Sequence, residues 1–338
     1  MAITLAPVTP CSVRGIATVK ARPGIGKQNS ASKLKNWTAC CTTSIPRGSV
    51  RAMATGGDDL LVVGPGVLGG YAGKLWLEEH PSSTVVGLTN TEENHPRLLR
   101  LGLQPATKPW SGERFDNVLF SAPPSGSSDY VAEVKSALDR WTGDGCFVFT
   151  GSAGVQDVPE DCRVDDDTPA VELGKSDRLD RLVLSERAVL EAGGCVVRYV
   201  GLYHAHRGAH TYFLRMGEVD RWGGSVINLI HYEDAASLAI TVLKGQGGDH
   251  HRARVFLGCD GFPVTMREMM DAVAESPMGF EGSCTFTGEE PQGSAHLKRA
   301  SNPRTRSELC WEPKHISFRD FMLKGAEDFY SSSAWLGA

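Results

Sequence analysis

The chain has 338 residues, 41% of them hydrophobic and 22% charged, with a formal net charge of −5. That balance fits an ordinary soluble globular protein of one large domain or two closely packed ones. No run of 18 or more apolar residues occurs, so no transmembrane helix is expected.

Residues 1–57 read differently from the rest. They carry eight Lys or Arg, twelve Ser or Thr, and no Asp or Glu. A basic, hydroxyl-rich, acid-free start is the composition of an organellar transit peptide, and the continuous apolar core of a secretory signal is missing. The Ser/Thr content and the weak helical period favour a chloroplast destination, in the stroma, with cleavage near residues 49–54. Beyond this leader, 27 Lys and Arg face 40 Asp and Glu, a formal charge of −13. Such a body repels nucleic acid and anionic membranes unless a local patch overrides it. Of nine cysteines, Cys11, Cys40 and Cys41 fall in the leader, and the other six lack C-x-x-C spacing. Zinc and redox-dithiol readings are therefore weak, and no metal is expected.

From Asp58 onward, apolar strand-like runs alternate with amphipathic helices, the signature of a parallel α/β sheet. "LLVV" (60–63) reads as a buried first strand, residues 67–79 as the first helix and "STVVGLT" (83–89) as the second strand. A short helix follows within 95–103, then a strand in "FDNVLFSAPP" (115–124) that stops at prolines. The segment 127–141 is an amphipathic helix with Val131, Val134, Ala137 and Leu138 on one face. "GCFVFTGSAG" (145–154) is a central strand, and 160–172 is acidic and irregular. A long helix spans 176–192 with Ser176 as N-cap, followed by a strand in 195–203. The rhythm then loosens through 227–243, 254–259, 265–275 and 317–330, which are expected to form a small substrate-side lobe from about residue 204.

Gly64, Gly66 and Gly69 stand in G-x-G-x-x-G spacing between the first strand and first helix, with a second strand within about 30 residues. In a dinucleotide-binding unit the first glycine permits the tight turn, the second admits the pyrophosphate, and the third allows close helix–strand packing. The amides from Gly66 through Val67 and Leu68 to Gly69 then face the phosphates at the positive end of the helix. The second strand ends in Thr89-Asn90-Thr91 rather than Asp or Glu. A neutral end removes the repulsion of a 2′-phosphate, so NADP is favoured over NAD, with Arg97 or Arg100 as the nearby cations.

Several segments, in order, resemble the extended short-chain dehydrogenase/reductase family, the NAD-dependent epimerase/dehydratases. "FDNVLFSAPPS" is similar to the family's fourth strand, "FVFTGSAGV" to its fifth, and "VVRYVGLYHAHRG" to its R-x-x-x-x-Y-G-P-G-R strand. "INLIHYEDAASLAI" resembles the I-H-V-D-D-x-A segment, and residues 257–270 and 297–322 resemble the C-terminal lobe. The "SAPPS" strand and the short lobe most resemble the atypical YeeZ-like branch.

The resemblance covers 58–330 and implies a Rossmann doubly wound parallel sheet with a small C-terminal substrate lobe. It also implies NAD(P) binding, with Ser121, Ala122, Pro123 and Thr150 beside the cofactor, and a small-molecule substrate. The implied catalytic set is a strand-end Ser and a Tyr-x-x-x-Lys on the long helix. Ser152 matches the Ser. The helix has no Tyr: aligning Ser185-Glu186 with the family's Ala-Glu puts Arg178 near the Tyr position and Leu182 near the Lys position. A guanidinium is a poor proton relay. Tyr203 is the nearby phenol that could substitute.

His204, His206 and His210 invite a metal reading, but no further ligand arrives with reliable spacing; a loop with His204 and Arg207 against an anionic ligand fits better. Lys298, Arg299, Arg304 and Arg306 form a basic cluster, a solvated face or, with Arg299 at the substrate, an anion site. The readings that remain are an NADP-dependent oxidoreductase or epimerase, a catalytically silent dinucleotide sensor or scaffold, and an RNA-binding protein, the last opposed by the acidic body.

Overall fold

The computed structural model describes residues 57–245 and 250–326. Apart from Gly57, the expected leader lies outside the described residues, as does the end of the expected last helix.

Four buried residues, Leu60–Val63, form β1, and the chain turns directly into α1 (Val67–Glu79). β2 (Val85–Thr89), α2 (His95–Arg100), β3 (Gln104–Thr107) and β4 (Asn117–Phe120) complete the first half. β3 escapes the sequence pattern because "QPAT" is neither alternating nor apolar. It pairs only with β2, at the sheet edge, where a proline costs no ladder bond on its open side.

α3 (Tyr130–Leu138) begins where the Asp129 carboxylate accepts from Ala132 N at 2.9 Å. β5 (Phe147–Ser152) follows, then the two-residue β6 (Arg163–Val164). α4 (Asp177–Glu191) starts at Ser176, whose hydroxyl accepts from Leu179 N as its sequence position predicts. The expected strand 195–203 divides into β7 (Cys195–Tyr199) and β8 (Gly201–Tyr203).

The remainder is α5 (Ala209–Met216), β9 (Glu218–Val219), β10 (Val226–Ile227), β11 (Leu229–His231), α6 (Tyr232–Lys244) and β12 (Val255–Gly258). After these come β13 (Val264–Thr265), α7 (Met266–Ala274), β14 (Thr285–Phe286), β15 (Arg299–Ala300), α8 (Pro303–Leu309) and α9 (Phe318–Asp320). α7 opens with a reciprocal Thr265–Glu268 capping box.

Seven strands form one parallel sheet in the order β12-β7-β5-β4-β1-β2-β3. This is the doubly wound arrangement expected from the sequence. Its faces follow the two-residue period of the strands. Leu60, Val62, Leu119, Val148 and Val197 join the core under α1 and α6. Leu61, Val63, Val118, Phe120, Phe149 and Val196 join the core under α3 and α4. Each such side chain contributes about 1.5–3 kcal/mol on burial.

Two features depart from the sequence reading. The substrate-side lobe is not one stretch from residue 204, because α6 packs on α1 and β12 extends the main sheet. The short β9–β14 and β10–β13 ladders, with α5 and α7, make the added part. The acidic 160–172 segment is also not merely irregular. Its Asp166 is buried and accepts from Leu257 N (3.3 Å), Arg304 N (3.0 Å), Thr305 N (3.2 Å) and the Thr305 hydroxyl. One carboxylate thus caps α8, which has no side-chain cap of its own, and ties it to β12.

Candidate functional site

β1 lies between β2 and β4, so the strand order reverses beside it and a crevice opens at the carboxyl ends of the strands. The glycine turn fills that point. Gly64 has φ +77°, and a Cβ there would stand 2.5 Å from Ala122 Cα. A Cβ on Gly69 would collide with Ser121 Oγ and stand 2.8 Å from Val62 Cγ1. Ser121 bolts the turn by donating to Gly64 O at 2.8 Å. At Gly66 the nearest protein atom to an added Cβ is Gly64 O, 4.0 Å away. Protein packing therefore explains Gly64 and Gly69 but not Gly66, where a side chain would project into the crevice. The first helical amides, Val67 and Leu68, have no carbonyl one turn earlier to bond.

The crevice has two halves that share Gly66, Ala122 and Pro123. The outer half, about 250 Å³, is bounded by Gly64, Thr89, Asn90, Lys108 and Glu133. Thr89 Oγ1 donates to Ala106 O at 3.1 Å, which ties the end of β2 to β3. Lys108 pairs with Glu133 at 3.3 Å and is the cation on this rim. Arg97, the cation expected here, instead donates to Gly66 O at 3.3 Å, over the glycine turn.

The inner half, about 490 Å³, is reached by Val67 and Leu68 from α1, Thr150 and Ser152 from β5, and Arg178 and Leu182 from α4. Leu202, Arg207 and Tyr232 close its other side. Ser152 Oγ accepts from Gly154 N at 3.1 Å, which leaves its own proton to donate into the crevice. Tyr232, the first residue of α6, accepts from Arg207 Nε at 3.0 Å, so its O–H is likewise turned elsewhere. Tyr130 and Tyr199 also border this half, but their hydroxyls donate to Ala122 O and Ala235 O. Burial pushes both phenols well above the ordinary tyrosine range.

Tyr203 does not line the crevice. Leu202 does, and on an extended chain the next side chain points to the opposite face. Tyr203 is fully buried against His231, Phe318 and Phe321, with ring centroids 5.3, 4.9 and 5.6 Å away. Burial drives its phenol far up, helped by Asp260 and Asp234. It is a packing residue; the crevice phenol whose hydroxyl is not given to a backbone carbonyl is Tyr232, 29 positions later and invisible to linear spacing.

His204 sits behind Tyr232, its ring 5.6 Å away, with Nδ1 accepting from His206 N. Burial, with Arg207 beside it, lowers it to about 4, so it is neutral at pH 7. Arg299 lies exposed on β15 and is not part of the crevice. Its neighbours do not form an open cationic face either. Lys298 donates to Ala153 O, Arg304 binds Asp167 and Glu308, and Arg306 binds Glu312 and Asp260 O.

The three histidines 204, 206 and 210 do not converge. Among the described residues, the group with metal-ligand spacing is His231, Asp234 and His315. Its atoms hold residues 314–315 on α6: Asp234 accepts from Lys314 N and His315 N, and His315 Nε2 pairs with Glu233.

No family model and no curated protein sequence matches the chain. Solved structures do match its fold. A functionally unknown conserved protein from Silicibacter pomeroyi superposes with a TM-score of 0.63 at 19% identity, over 80% of this chain and 98% of that one. dTDP-glucose 4,6-dehydratase from Bacillus anthracis, solved in complex with NAD, gives 0.62 at 13% identity over 82% and 98%. A nucleoside-diphosphate-sugar epimerase from Pseudomonas aeruginosa gives 0.62 at 13% identity over 82% and 98%. The chain shares the fold of these proteins.

Proposed function

We propose that this chain is an NAD(P)-binding protein of the epimerase/dehydratase type, acting as an oxidoreductase or epimerase on a small metabolite. The observation that carries the reading is Gly66: its missing side chain leaves a cradle at the switch point that no protein atom uses. The residues fit a dinucleotide. Val67 and Leu68 amides would take the pyrophosphate, and Ala122 and Pro123 would flank the ribose and adenine half. The fold neighbours include a dehydratase solved with NAD, which supports the same reading. Thr89 and Asn90 favour NADP over NAD, since the end of β2 offers no carboxylate to repel a 2′-phosphate; Lys108, on the same rim, is paired with Glu133. The "SAPPS" strand supports the YeeZ-like branch, and the leader composition supports the chloroplast stroma.

A bound nicotinamide would supply hydride transfer. This chain would supply the proton from Ser152 or Tyr232, which both present hydroxyls to the inner crevice. The alignment with the family puts Arg178 near its Tyr position and Leu182 near its Lys position, which leaves the usual acid/base pair without a counterpart on α4, and both residues line the crevice. The same two residues favour the second reading, a silent dinucleotide sensor. Incubation with [4-³H]NADPH and a pool of stromal metabolites separates them. Tritium in a product, lost in the Tyr232→Phe and Ser152→Ala double variant, supports the enzyme; tight binding with no transfer supports the sensor.

A further inference from the structure

Among the described residues, the charged side chains lining the inner crevice are Arg178 and Arg207, and no carboxylate lines it. Both arginines are exposed at the crevice wall, and neither forms an ion pair with a described residue. Arg207 is held by one nitrogen, Nε on the Tyr232 oxygen, which leaves the forked end of its guanidinium for another partner. Arg178 makes no hydrogen bond to a described residue and stands on the first turn of α4, beside Leu182 at the position where a catalytic phenol would be expected.

Two cations without an ion pair among the described residues give this concave wall a net positive charge that an anion would neutralise. They are also placed in a body whose formal charge beyond residue 57 is −13, with 27 Lys and Arg against 40 Asp and Glu. The pyrophosphate end has its own provisions, the Val67 and Leu68 amides and Arg97 at Gly66 O. Arg178 and Arg207 line the same half as Ser152 and Tyr232, and Arg207 also acts on the Arg97 guanidinium beside Gly66 O.

We infer that Arg178 and Arg207 form an anion clamp, and that the substrate is a small metabolite bearing a carboxylate or phosphate next to its reacting carbon. Guanidinium forks bind either group bidentately, so both sources fit the same chemistry. Tyr232, fixed by Arg207, then offers its O–H to the oxygen adjacent to the clamped group. That the clamped anion is a substrate rests on the crevice being a dinucleotide and substrate site; the anion site itself does not.

The test is calorimetric titration of oxalate, inorganic phosphate and neutral glycerol into the full chain, with and without saturating NADP⁺. One of the anions binds at a single site and glycerol does not; the preferred anion identifies carboxylate or phosphate as the natural group. Arg178→Gln and Arg207→Lys each weaken it about tenfold or more, while NADP⁺ affinity stays within about threefold. Because Arg178 is exposed, its variant melts like the wild type, which separates loss of binding from loss of fold. Anion affinity unchanged in both variants, or no anion binding at all, overturns the clamp. So does a variant that loses NADP⁺ instead, since the arginines then serve the pyrophosphate. If NADP⁺ fails to bind but an arginine-dependent anion site remains, the dinucleotide reading falls and the clamp stands.

Discussion

His210 lies wholly buried near Phe280 and Phe318, with Nε2 bonded to Ala205 O at 2.8 Å and no hydrogen-bond partner at Nδ1. A second proton would have to be added at Nδ1, in an apolar setting. Burial accordingly lowers this imidazole from 6.5 to about 4, partly opposed by the Ala205 carbonyl. The unfolded chain then binds the proton first, so the native state loses stability as pH falls from about 6.5 towards 4. The loss approaches about 3 kcal/mol once both states are protonated. Urea denaturation of wild type and His210→Gln across pH 7.5 to 4.5 checks this. The wild type's advantage should shrink steadily over that window; a pH-independent difference would contradict it. Sequence singled out this histidine as a metal candidate, because its environment is made by Phe280 and Phe318, 70 and 108 positions away. Gly66 was legible for the opposite reason: its role depends on a local turn.

At the scale of elements, α4 is fixed to β7 by one buried ion pair. Arg198 Nε lies 3.1 and 3.2 Å from the Glu186 oxygens, Nη2 lies 2.8 Å from Oε2, and Nη1 donates to Thr168 O. Burial raises the Glu186 carboxyl and Arg198 offsets it. Arg198→Met strands the carboxylate and should lower urea-measured stability by about 3–5 kcal/mol at pH 7.5. The Glu186→Gln, Arg198→Met pair should lose clearly less than the single variant. Equal losses would mean that packing, not charge, explains the cost. The strands of the sheet could be read from sequence because a parallel sheet covered on both faces demands continuous apolar runs, and the α3, α4 and α7 starts carry their own caps. β3 could not, since an edge strand has one face of that demand. Nor could the docking of α8 by Asp166, which joins residues 139 positions apart.

At the largest scale, the described residues set a crevice whose inner half carries two arginines at the switch point of a sheet, in a chain whose body beyond residue 57 is acidic. The topology delivers the β1 turn, the ends of β4 and β5, the start of α4 and the start of α6 to that crevice. Helix and strand order made the first three of these legible. The Arg207–Tyr232 contact was not, because it depends on how the chain returns to the sheet after β8. The central claim is that this crevice holds a nicotinamide dinucleotide on the Gly66 cradle. Its most direct test is side-by-side calorimetric titration of wild type and Gly66→Asp with NADPH and NADH, with melting temperatures recorded without ligand. Beyond its chain neighbours, the Cβ of an aspartate there comes no closer to protein than Gly64 O at 4.0 Å, so the variant should melt close to wild type. It should lose measurable binding, while wild type binds at one site and prefers NADPH. Equal binding by both proteins, or none by wild type, would contradict the account.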